Sequence, residues 1–188
     1  MPDRQKGKAE FLYLLLASLF ISALVACNLI ANKFITLDLG FKSFTISAGV
    51  LPYPVTFLIT DILSEIYGRR KTNRVVLAGF IVSIFVLGIL WLGGSFRAIA
   101  DSPVSDAQYD AVFQNAWRVI AASMTAYLAA QFLDVRVFHF WKDLTGGRHL
   151  WLRNNGSTII SQLLDTTLVV FVLFAGQRSL SSMGYLIL

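Results

Sequence analysis

Long apolar stretches alternate along this chain with short clusters of charge, and the lengths of the stretches decide what they can form. A helix rises about 1.5 Å per residue and needs roughly 20 apolar residues to cross about 30 Å of hydrocarbon. Three charge-free runs reach or approach that length: Phe11 to Asn32, Ser43 to Thr60, and Val75 to Phe96. Val119 to Leu133 reaches it by continuing through Asp134 and Arg136 to Trp141, and Asn154 to Gln177 is broken only by Asp165. The pattern predicts helices over about 11–32, 43–66, 75–96, 111–141 and 154–177, with the stub of a sixth at 185–188. The expected fold class is an all-α membrane protein, a polytopic helical bundle of five helices plus the start of a sixth, in one integral membrane domain over 1–188.

Composition agrees with that pattern. Hydrophobic residues make up 56% of the 188 positions and charged residues 14%, against roughly a quarter charged in soluble domains. The net charge of +5 would suggest nucleic acid in a soluble chain, but its placement gives a different meaning. Ten of the sixteen Lys and Arg fall on one side of the predicted spans, at Arg4, Lys6, Lys8, Arg69, Arg70, Lys71, Arg74, Lys142, Arg148 and Arg153. The other side holds Lys33, Lys42, Arg97 and Arg178, together with an acidic loop carrying Asp101, Asp106 and Asp110. Cytoplasmic loops carry the basic excess, so the N-terminus is expected inside. A basic start leading into Leu24-Val-Ala-Cys27 also spells a lipoprotein signal. Glu10 abuts that run, the run continues past Cys27 to Asn32, and four more spans follow, all of which argue for a helix instead.

The parts of soluble-site chemistry are missing. There is no GxxxxGK[ST], HExxH or GxSxG, and the two histidines, His139 and His149, lie at or beyond the end of the fourth predicted helix. No enzyme, cofactor or metal is expected. The single Cys27 has no partner within the chain for a disulfide.

Polar groups inside the spans carry the remaining information, because a carboxylate at bilayer centre costs ~2.5–3.5 kcal/mol on insertion scales and normally faces a bundle interior, a cavity or a partner. Asp165 is the clearest case. Gln131-Phe-Leu-Asp134 and Gln162-Leu-Leu-Asp165 echo one another, each setting an amide and a carboxylate three apart on one helical face. Ala122, Ala126 and Ala130 lead at steps of four to Asp134, and Ser18, Ser22 and Ala26 form a similar small-residue stripe, the usual sign of close helix packing. The second span holds the densest signal, Pro52-Tyr-Pro-Val-Thr-Phe-Leu-Ile-Thr-Asp61-Ile-Leu-Ser-Glu65-Ile-Tyr-Gly-Arg69. Its two prolines are expected to break or kink the helix. Asp61 and Glu65, at i and i+4, repel unless a cation or a ligand donor intervenes, and Arg69 is the candidate cation.

These residues carry a resemblance. PYPVTFLITDILSEIYG (52–68) followed by basic residues, with NLIANKF (28–34) and RNNGSTIISQLLDT (153–166), resembles the queuosine precursor transporter family, also called the vitamin uptake transporter family. The resemblance implies a multi-pass protein of the bacterial inner membrane that imports 7-cyano-7-deazaguanine and/or 7-aminomethyl-7-deazaguanine, precursors of a modified tRNA nucleoside. It implies a fold related to the S-components of vitamin transporters, normally with six helices.

A guanine-like edge presents a ring N–H beside an exocyclic amine. One carboxylate can accept both, while an amide addresses the carbonyl edge and aromatic rings stack on the base. The candidate substrate-binding residues are Asp61, Glu65, Asp165, Asp134, Gln162, Gln131, Asn28 and Asn155, with Tyr53, Phe57 or Trp141 as stacking partners. The expected partners are a small nucleobase and the lipid bilayer, with no direct nucleic acid. Self-association and a separate energising module stay open. So do two rival functions: a non-catalytic scaffold or binding subunit of a larger transporter, and an intramembrane enzyme.

Overall fold

The computed structural model describes residues 3–38, 40, 43–114 and 117–174. The last residues of the fifth predicted helix, through Gln177, and the stub at 185–188 lie outside the described residues.

Five long helices dominate. α1 runs Asp3–Leu29, α2 Tyr53–Tyr67, α3 Arg69–Gly94, α5 Trp117–Leu144 and α6 Leu150–Phe174, with a short α4 at Asp106–Tyr109 continuing into a π-helical turn, Asp110–Gln114. Three segments, Gln5–Leu29, Ala48–Tyr67 and Arg69–Gly94, are long and apolar enough to cross a membrane. At 28 and 25 residues, α5 and α6 have the length as well, but they carry more polar side chains, several of them buried.

The second predicted span is corrected at its start. Ser43–Ser47 is not helical but forms strand β2, paired antiparallel with β1, Phe34–Asp38, in the register Phe34↔Ser47 to Asp38↔Ser43. The β-branched Ile35, Thr36, Thr45 and Ile46, and the polar–apolar alternation of Ser-Phe-Thr-Ile-Ser, favour a pleated ladder, and counting charge-free residues does not detect that period. The hairpin joins the end of α1: Ala48 N–H donates to the Lys33 carbonyl at 2.7 Å, and Ser47 Oγ donates to the Ala31 carbonyl at 2.6 Å. The expected proline kink is corrected too. Pro52 caps α2 and Pro54 lies in its first turn, where a missing N–H removes no internal hydrogen bond.

Gly68 alone links α2 to α3. Its φ of 77° and ψ of 164° belong to a region that only glycine occupies readily. The basic residues predicted as a loop, Arg69 to Arg74, therefore form the first turns of α3.

The apolar core lies among α1, α2, α3 and α5, where Phe20 and Leu24 meet Phe57, Leu63, Val75, Val76 and Tyr127. Gly79 lets α3 approach α1 closely, since a Cβ there would come within 2.8 Å of the Phe20 ring. Large apolar side chains such as Phe11, Leu14, Ile81, Phe85 and Trp91 point outward from α1 and α3, the reverse of a water-soluble bundle and the arrangement a lipid surface calls for. α5 and α6 pack along each other as a second unit, while α2 touches α6 at few points. The buried Ala126 and Ala130 belong to the α5 packing surface; the Ala122 side chain lies outside the described ones. Ser18 and Ser22 of the α1 stripe are exposed, and Cys27 is buried within an unbroken α1.

Candidate functional site

Polar side chains of α2 recur on the face turned to α5 and α6, because positions 53, 57, 61 and 65 are one helical turn apart. Tyr53, Asp61 and Glu65 thus form three stations, about 12 Å and then about 6 Å apart along the helix axis.

At the hairpin end, the Tyr53 hydroxyl donates to Asp165 Oδ2 at 2.8 Å, joining α2 to α6. The ring of Tyr53 lies 5.1 Å from that of Tyr127 and 5.7 Å from that of Phe57, and the three rings form one cluster. Gln131 Nε2 donates to the Tyr127 hydroxyl at 2.7 Å. Asp165 Oδ1 and Gln131 Oε1 are buried without a hydrogen-bond partner among the described residues.

In the middle, Asp61 and Asp134 are both buried and their carboxyls adjoin. Ser161 Oγ donates to Asp134 Oδ1 at 3.1 Å, and Ser157 lies on the same side. Among the described residues, neither oxygen of Asp61 accepts a hydrogen bond from a donor side chain.

At the basic end, Glu65 Oε2 accepts from Lys142 Nζ of α5 at 2.9 Å and from Arg153 Nη1 of α6 at 3.0 Å. Arg69, the cation expected from sequence, is exposed and makes neither of these bonds. Arg69 is already the first residue of α3, past the turn at Gly68, whereas Lys142 and Arg153 meet Glu65 across the interface with α5 and α6. The guanidinium of Arg153 lies 5.3 Å from the Phe138 ring centroid and is almost wholly enclosed.

Between α2 and the first turns of α6 lies a groove of about 520 Å³, lined by Asp61 and Glu65 on one side and by Trp151, Asn154 and Asn155 on the other. That volume falls in the range of small-molecule sites, roughly 300–1,000 Å³. Asn155 Nδ2 donates to the Trp151 carbonyl at 2.9 Å, and the Asn155 side chain is exposed. The groove combines the exposed Glu65 carboxylate, amides of both polarities and an exposed indole, groups that suit a flat, donor-bearing heterocycle, with the Asp61 carboxyl oxygens buried in its wall.

The structure brings most of the candidates together. Asp61, Glu65 and Asn155 line the groove, while Asp134, Asp165, Gln131, Tyr53 and Phe57 continue the polar and aromatic column behind it. Gln162 is half-buried on α6 with no hydrogen bond among the described residues. Asn28 stands apart, in a small cavity with Ser83, Leu87 and Val112 between α1, α3 and the π-helical turn. Trp141 packs against Gly156, and the groove's aromatic wall is Trp151. Sequence reasoning missed Trp151, Asn154, Tyr127, Ser161, Lys142 and Arg153. The last two were read only as orientation charges, yet Arg153 lies one turn inside α6 because that helix begins at Leu150.

Comparison with known proteins places this geometry in context. A family model described as "Putative vitamin uptake transporter" matches residues 47–188. The chain is 33% identical over 147 residues to a "Probable queuosine precursor transporter" of Bacillus subtilis (strain 168), covering 78% of this chain and 64% of that protein. It is 29% identical over 150 residues to the "Queuosine precursor transporter" of Escherichia coli (strain K12), covering 77% of this chain and 62% of that one. The chain therefore spans less than two thirds of the length of these curated relatives. No solved structure matches it. The relatives are named as transporters rather than enzymes. With a family model covering most of its length, this membrane protein belongs to the vitamin uptake transporter family.

Proposed function

We propose that the chain imports queuosine precursors, 7-cyano-7-deazaguanine and/or 7-aminomethyl-7-deazaguanine, across the bacterial inner membrane, with its N-terminus and the basic end of the bundle in the cytoplasm. The observation that carries the reading is the groove between α2 and α6, where Asp61 and Glu65 face Trp151, Asn154 and Asn155. The Glu65 carboxylate accepts from the ring N–H and exocyclic amine of a guanine-like edge, with the Asp61 carboxyl in the wall one turn away, the asparagine amides take the carbonyl edge, and Trp151 stacks on the ring face. The aminomethyl group, where present, adds a cation for the second carboxylate. The relatives' names support the substrate class.

Passage follows from the way the helices divide. The α5–α6 pair meets α2 through the Tyr53–Asp165 bond at one end and the Glu65 ion pairs at the other, with the Asp61–Asp134 pair between them. Rocking of one unit against the other opens these contacts in turn and exposes the polar column first to one side and then to the other.

The test is uptake in bacteria unable to make the deazaguanine base, reading queuosine in tRNA. Expression of the full-length protein is expected to restore queuosine when a precursor is fed. Failure with either precursor, in cells where the protein is shown to reach the membrane, rejects the function.

A further inference from the structure

We propose that Arg153 is the positioning residue of the groove, fixing the Glu65 carboxylate so that one oxygen is held by cations and the other is presented to a hydrogen-bond-donating substrate. The inference rests on the proposed function and names a residue that acts on affinity without touching the ligand.

Both ion pairs of Glu65 end on the same atom. Lys142 Nζ and Arg153 Nη1 converge on Oε2, and Oε1 accepts no hydrogen bond among the described residues. The Glu65 side chain is 37% exposed at the groove, where a flexible carboxylate would otherwise sample many orientations. The two cations differ in how firmly they can hold it. The Lys142 side chain is 30% exposed on a four-carbon stem, while that of Arg153 is 2% exposed.

The Arg153 guanidinium packs on Phe138, itself fully buried, so its position is set by the α5–α6 packing and not by the groove. It is the fixed point, and a planar guanidinium dictates the direction of its N–H bonds as well as their charge. Glu65 in turn neutralises a buried cation that would be costly alone. With Oε2 saturated, Oε1 becomes a single, oriented acceptor one helical turn from Asp61, whose carboxyl oxygens are buried in the groove wall. Arg153 itself lines no part of the groove, so its effect on a ligand passes through Glu65.

The experiment measures KM and Vmax of deazaguanine uptake, normalised to protein in the membrane, for the full-length wild type, Arg153→Lys, Arg153→Gln, Glu65→Gln and the double variant Arg153→Gln/Glu65→Gln. Loss of a hydrogen bond to a charged group predicts a KM raised about tenfold or more in Arg153→Gln, with Vmax changed far less. Arg153→Lys keeps the charge and stays nearer to wild type. Because Arg153 acts through Glu65, the double variant matches Glu65→Gln alone. Multiplied losses in the double variant, or an unchanged KM in Arg153→Gln, overturn the assignment. Where Arg153→Gln does not reach the membrane, the double variant decides against Glu65→Gln by the same rule. A wild type that takes up neither precursor rejects the proposed function and this inference together; uptake with independent losses rejects the role of Arg153 alone.

Discussion

Tyr53 and Asp165 hold α2 to α6 with one hydrogen bond, and substitution at either end asks a different question of it. Tyr53→Phe keeps the ring cluster but removes the donor, leaving both Asp165 oxygens buried and unpaired. A buried acceptor so stranded costs about 1–3 kcal/mol, to be read as a lower midpoint of thermal unfolding in detergent. Asp165→Asn retains an oxygen that accepts from Tyr53 and loses only the charge. It is expected to insert normally and unfold near the wild-type temperature while uptake falls severalfold or more; undiminished uptake would reduce Asp165 to a structural tie. Single residues were legible in the sequence where a charge interrupted an apolar run, as at Asp61, Asp134 and Asp165. Their partners were not. Ser161 and Tyr127 are ordinary membrane-helix residues until folding sets them beside Asp134 and Gln131, and Arg153 looked like a loop charge until α6 proved to begin before it.

Among the elements, the join between α2 and α3 is the most constrained. Gly68→Ala places a Cβ on a backbone with φ of 77° and is expected to cost about 1–3 kcal/mol, seen as lost expression or a lower unfolding temperature. Gly88, within α3, is the internal control. A Cβ there meets nothing within 4 Å, so Gly88→Ala is expected to be neutral or to stabilise by up to about 1 kcal/mol. Equal losses from both substitutions would remove the case for strain at Gly68. Run length alone located the uninterrupted apolar stretches of α1 and α3, but not the charged first turns, from Asp3 and from Arg69, that each helix adds at its N-terminal end. It misread 43–52 because strand and helix segments can both be free of charge, and only the polar–apolar alternation of Ser43–Ser47 and the two prolines separate them. The prolines marked a helix start where a kink had been expected.

For the whole molecule, the basic residues predict a topology that chemical labelling can check. Cysteines placed singly in a Cys27→Ser background at Thr36 and Asp101 should react with an impermeant thiol reagent added to intact cells, while one at Arg70 should react only after lysis. The opposite pattern would invert the proposed direction of the basic end. Hydrophobic pattern made the bundle legible at this scale, and the specific stretch from Pro52 to Gly68 made the family legible. The groove was not, because its far wall comes from Trp151, Asn154 and Asn155, nearly ninety residues away in the chain, and their approach to α2 depends on how α5 and α6 fold together.

The one-residue link at Gly68 also bears on how such a protein is built. α2 carries Thr56, Thr60, Asp61 and Ser64 on its buried face and belongs to the least apolar of the three spans, whereas α3 is apolar along nearly all of its length after its basic first turns. With no loop between them, the two helices are expected to enter the bilayer together as a helical hairpin, in which the more apolar α3 supports the insertion of its polar neighbour. Lengthening the link with a flexible insert would uncouple the two steps during synthesis, and the defect would appear in biogenesis, as α2 left outside the membrane, before any change in the finished fold.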